Sequence, residues 1–136
     1  MRMHEPSAWL VLALSGVFVS LGILFITAPS LGAALYGIPA VDATTLAYVD
    51  AIGFRDLAFG LYLFALARMS TRRVVGTVLG LTALIPAGDV IIVAVIQGLF
   101  APGHLLLHAA SGAVMAGSSF WLLRYDPTHD RKDQSP

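Results

Sequence analysis

Residues 9–28 carry no charged side chain. About 20 mainly apolar residues are what a helix needs to cross the hydrocarbon core of a bilayer. Inside hydrocarbon every backbone N–H and C=O must be satisfied within the segment, so such a run is a helix rather than a loop or an open strand. Three further runs follow. Residues 47–69 are interrupted by Asp50, Arg55 and Asp56; residues 74–100 contain Pro86 and Asp89; residues 105–123 contain His108. The links at 70–73 and 101–104 are short, and short links make successive helices antiparallel. The sequence therefore predicts an all-α integral membrane protein, an up-down-up-down four-helix bundle. It forms one domain over residues 1–125, and 126–136 reads as a flexible cytoplasmic tail.

Composition agrees. The 136 residues are 57% hydrophobic and 12% charged, against about 25% charged in an ordinary soluble domain. Eight basic and eight acidic residues cancel, so no global field attracts nucleic acid. The absence of cysteine excludes disulfides, thiolate nucleophiles and cysteine-held metals. There is no nucleophilic serine motif, phosphate loop or dinucleotide fingerprint, and no cofactor is expected.

Arg2, Arg68, Arg72, Arg73, Arg124, Arg131 and Lys132 all fall on one side of the predicted bundle, while 29–45 and 101–104 hold no Lys or Arg. The positive-inside rule puts that side in the cytoplasm, with both termini, in a bacterial inner membrane. Trp9, Trp121 and Tyr125 then suit the inner interfacial belt, and Tyr36 and Tyr48 the outer one. A cleaved signal peptide is the lesser reading of the first run, which exceeds a usual 7–15-residue signal core and has only Arg2 beside Glu5 as a basic leader.

Helices in lipid associate through small residues. Gly76 and Gly80 form a GxxxG pair, Gly16 and Ser20 lie four apart, as do Ala113 and Gly117, and Gly53, Asp56 and Gly60 share a helix face. Packing within the bundle is the first expectation. A homodimer seam through Gly76 and Gly80 is the alternative.

Ionisable residues inside a membrane are costly and mark function by default. Counted along their helices, Arg55 and Asp56 lie roughly 15 Å from the outer surface and Asp89 roughly 16 Å, with His108 one turn in. Arg55 and Asp56 are adjacent and point about 100° apart, so they are not expected to pair. Asp89 is the expected counter-ion of Arg55. Asp56, between two glycines, then has room and no counter-ion on its own helix. Pro86 is expected to kink its helix one turn before Asp89. His104 and His108, four apart, could reach a metal ion with Asp89, but HxxxH alone is weak and no metal is expected.

Tyr36-Gly37-Ile38-Pro39, the segment Gly53-Phe54-Arg55-Asp56-Leu57-Ala58-Phe59-Gly60, the Asp of the third run and the His of the fourth resemble the small four-helix membrane proteins of the broad DoxX-like superfamily. The resemblance covers nearly the whole of residues 9–123. It implies the four-helix fold and the importance of Arg55, Asp56, Asp89 and His108, and it carries over no reaction.

The residues leave three readings open: a buried ion network fixing helix register, a proton pathway, or an outward-opening pocket for a small apolar molecule. The pocket is the leading expectation. Tyr48, Asp50 and Arg55 would bind the ligand, and Asp56, Asp89 and His108 would perform acid–base chemistry, such as isomerisation or cyclisation of a lipid-like or terpenoid substrate. The rival is a non-catalytic scaffold or accessory subunit.

Overall fold

The computed structural model describes residues 5–39, 42–98 and 102–124. Arg2, Tyr125 and the tail at 126–136, each given a role above, lie outside them. Among the described residues every regular element is a helix: α1 (Pro6–Thr27), α2 (Pro29–Tyr36), α3 (Ala43–Met69), α4 (Arg72–Thr82), α5 (Leu84–Gln97) and α6 (Pro102–Arg124). Three stretches of the described residues are long and apolar enough to cross a membrane: α1, α4 continued by α5, and α6. The 27-residue α3 has the length, and carries Asp50, Arg55, Asp56 and Arg68.

Local chemistry sets the ends. Pro6 and Pro29 open α1 and α2, where the missing N–H costs nothing and the fixed φ suits the first turn. Gly37, with φ at +90°, closes α2 in the left-handed region, which a side chain disfavours. The Asp42 carboxylate accepts from the Thr45 N–H at 2.7 Å and caps α3, and that backbone hydrogen bond lowers the Asp42 pKa. Thr71 caps α4 in the same way. The α4–α5 stretch is interrupted at Ala83. Pro86 lacks the N–H that would bond the Thr82 carbonyl, so the break falls where that rung of the ladder is missing.

Packing joins the helices as two antiparallel pairs. In the first, α1 and α3 meet backbone to backbone. A Cβ on Gly22 would lie 2.5 Å from the Leu57 nitrogen, and one on Gly60 would lie 2.8 Å from the Val19 nitrogen. Ser15 Oγ donates to the Gly60 carbonyl at 2.7 Å across this seam. In the second, α4 and α5 lie against α6, where Ser119 Oγ donates to the Gly76 carbonyl at 2.7 Å. Gly76 and Gly80 both face α6 of their own chain, Gly76 against Leu122 and Leu123 and Gly80 against Ser119. Gly53 and Gly60 pack as expected for their face, but Gly16 and Gly117 meet nothing within 4 Å, and Gly22 takes the role expected of Gly16 and Ser20.

A core of Val11, Phe59, Leu63, Ala67, Val75, Leu79, Met115 and Leu122 ties the two pairs together at one end. At the other end Phe25, Ala33, Tyr36, Val49 and Val93 form a second core beneath α2. Outward faces are apolar, with Trp9, Phe54, Tyr62, Leu84, Val95 and Leu106 all exposed. Apolar surface of this extent suits lipid rather than water.

Candidate functional site

Between the two helix pairs lies a cavity of about 150 Å³. Phe18, Leu21 and Phe25 of α1, Leu35 of α2, and Leu107 and Met115 of α6 give it apolar walls. Tyr36, Arg55, Asp56, Asp89, His108 and Ser111 line its polar side, and Pro86 borders it at the helix break. Five helices thus contribute, and the polar groups come from four of them.

Arg55 is the hub of the charged set. Its Nε lies 2.9 Å from Asp56 Oδ1 and its Nη1 lies 3.8 Å from Asp89 Oδ1. The cross-helix approach to Asp89 agrees with the depth argument. The contact with Asp56 corrects the expectation that neighbours on a helix do not pair. Their Cβ atoms do diverge, but the long arginine stem folds back and brings Nε to the adjacent carboxylate. Asp56 therefore has a counter-ion on its own helix.

Asp89 is buried and draws on three other helices. The Tyr36 hydroxyl donates to its Oδ1 at 2.6 Å, and His108 Nδ1 stands 3.8 Å from its Oδ2. Tyr36 belongs to this site rather than to the outer aromatic belt, being only 5% exposed, with its ring against that of His108 at 4.8 Å between centroids. Burial first, and then the hydrogen bond to Asp89, raise the Tyr36 pKa, so the phenol keeps its proton and donates. From the sequence, 29–45 reads as a connection, and neither α2 nor the bond from Tyr36 to Asp89 is expected. The signals for the helix were present, Pro29 at its start and Gly37 just past its end.

Side chains of α5 and α6 hold α2 in place through its C-terminal carbonyls. His104 Nε2 bonds the Ala34 carbonyl at 3.0 Å, His108 Nε2 bonds the Tyr36 carbonyl at 2.9 Å, and Gln97 Nε2 donates to the Gly37 carbonyl. A carbonyl can only accept, so each histidine carries hydrogen on Nε2. With His104 engaged at α2, the triad of His104, His108 and Asp89 does not converge. No group of three metal-ligating side chains forms among the described residues.

Two expected ligand-binding residues are elsewhere. Tyr48 is 70% exposed, lies two turns beyond Arg55, roughly 10 Å further along α3, and is absent from the lining. Asp50 lies about 140° round α3 from Arg55 and is absent from the lining. Its Oδ1 is buried without a hydrogen-bond partner among the described residues.

The arrangement places two carboxylates against one guanidinium, with an imidazole and a phenol against Asp89, beside an apolar cavity. Such a set can bind a polar group at one end of an apolar molecule and can exchange protons with it. A family model described as a domain of unknown function, DUF4267, matches residues 15–122, a stretch holding every residue of the site. No curated protein and no solved structure matches the chain.

Proposed function

The chain belongs to the DUF4267 family, a domain of unknown function, and from that premise we propose a function drawn from the site alone. The protein is a small integral membrane protein whose helices enclose a pocket for a small, mainly apolar molecule. Asp56, Asp89 and His108 act on the ligand as acids and bases, and Arg55 holds the two carboxylates. Isomerisation or cyclisation of a lipid-like or terpenoid substrate is the matching reaction class. The observation that carries this reading is the cavity itself, with six apolar side chains on one side and the Arg55–Asp56–Asp89–His108 set on the other.

The membrane setting is part of the proposal. Four spans, with α3 joining the three more apolar ones, make an up-down-up-down bundle in a bacterial inner membrane with both termini in the cytoplasm. Kinship with the DoxX-like superfamily rests on the segments 36–39 and 53–60. Their residues have physical roles here: Tyr36 binds Asp89, and Gly53 and Gly60 let α3 approach α1.

Asp56→Asn tests the acid–base role, because it keeps shape and hydrogen bonding while removing charge and proton exchange. The expected outcome is a stably folded variant whose cellular function falls about 10²–10⁴-fold, the usual worth of a general acid or base, with His108→Gln behaving alike. Full function in a stable Asp56→Asn protein overturns it.

One observation favours the scaffold reading. Arg55 lies against both carboxylates and Asp89 also accepts from Tyr36, so these side chains by themselves join α2, α3 and α5. A buried network of this kind can serve helix register alone, and in that case Asp56→Asn leaves function intact.

A further inference from the structure

His108 and Asp89 face one another within ion-pair distance but beyond the reach of a hydrogen bond. Nδ1 and Oδ2 are 3.8 Å apart, whereas a hydrogen bond spans about 2.7–3.2 Å. A single oxygen atom placed to one side can sit about 2.8 Å from both.

The surroundings decide which oxygen-bearing group suits that position. The Tyr36 carbonyl holds hydrogen on His108 Nε2, so in the neutral ring Nδ1 is an acceptor, as is an ionised Asp89. The groups lining the cavity near the couple are Tyr36 on α2, Arg55 and Asp56 on α3, Asp89 on α5 and His108 on α6, while α1 contributes only Phe18, Leu21 and Phe25. In the acid–base role proposed above, the His108–Asp89 couple carries one exchangeable proton and then presents one donor and one acceptor, 3.8 Å apart. A hydroxyl group matches this, since it accepts and donates at once; a carbonyl or ether oxygen only accepts.

We propose that the pocket takes a hydroxyl-bearing apolar molecule, its hydroxyl oxygen bridging His108 Nδ1 and Asp89 Oδ2. The apolar part lies against Phe18, Leu21 and Phe25. A cavity of about 150 Å³ holds a group of benzene size, so a larger ligand enters by its hydroxylated end. This inference rests on the pocket reading above and narrows it to a class of ligand.

The test compares cyclohexanol, cyclohexanone and methylcyclohexane, three probes of nearly one size, binding to the purified full chain in lipid nanodiscs. Ligand-observed NMR reads affinity for the wild type and for Leu21→Trp, which fills the cavity; Ser111→Phe substitutes if the first variant does not fold. Cyclohexanol is expected to bind at least ten-fold more tightly than either analogue and to lose that advantage in Asp89→Asn. On the wild type alone, cyclohexanol is expected to shift the His108 Nδ1 nitrogen resonance, and methylcyclohexane to leave it unmoved. Equal binding of all three probes, abolished by Leu21→Trp, overturns the hydroxyl assignment while the pocket stands, as does tighter binding of cyclohexanone. Binding that is the same in wild type and filled variant for every probe overturns the pocket itself.

Discussion

The Tyr36 hydroxyl donates a 2.6 Å hydrogen bond to Asp89 Oδ1, joining an eight-residue helix between two long ones to the most enclosed carboxylate of the site. Through it α2 becomes a wall of the cavity rather than a linker. Tyr36→Phe removes the donor and little else. A hydrogen bond to a charged group contributes about 1.5–3 kcal/mol, so denaturant titration in mixed micelles should show a loss of that order. Tyr48→Phe, at an exposed position, should stay within about 0.5 kcal/mol. Equal effects of the two changes would remove Tyr36 from the site.

Arg55 has two carboxylate partners at unequal distance, Asp56 at 2.9 Å and Asp89 at 3.8 Å. Double-mutant cycles with Arg55→Leu should therefore give a larger coupling to Asp56→Leu than to Asp89→Leu, both within the roughly 0.5–3 kcal/mol range of contacting pairs. The guanidinium's side chain is 36% exposed, which screens both couplings. Strict additivity in both cycles would reject the hub.

The α1–α3 seam allows no added carbon. A methyl on Gly60 would lie 2.8 Å from the Val19 backbone nitrogen and 2.9 Å from the Ser15 carbonyl oxygen, so Gly60→Ala should cost about 1–3 kcal/mol by overpacking. Gly16→Ala on the same helix pair meets open space and should be neutral or stabilising by up to about 1 kcal/mol. A melting comparison of the two variants checks this, and equal melting points would contradict the seam.

The long apolar helices and the shared level of Arg55 and Asp89 were legible because both follow from counting residues at a fixed rise along a helix. The helix break near Pro86 was legible for the same local reason. What was not legible depended on reach and on enclosure. Arg55 meets Asp56 because its side chain is long, which a helix-face argument omits. Tyr48 and Asp50 lie outside the cavity because Tyr48 stands exposed two turns further along α3 and because Asp50 points round the helix. Tyr36 gave no pattern of its own, since a buried tyrosine and an interfacial one look alike in a short connection.

The proposed orientation follows from charge placement and is open to direct labelling. Single cysteines at Ser30, on α2, and at Thr71, in the Arg-rich link between α3 and α4, should differ toward a membrane-impermeant thiol reagent on intact cells. Ser30→Cys should be labelled and Thr71→Cys protected. The reverse pattern would invert the topology.

The central claim is that the cavity between the helix pairs holds a small, mainly apolar molecule. Untargeted mass spectrometry of the molecules retained by purified wild-type protein and by Leu21→Trp, matched for melting temperature, tests it most directly. The account predicts one small molecule in near-stoichiometric amount with the wild type and its loss from the filled variant. The same bulk lipids in the same amounts from both proteins would contradict it.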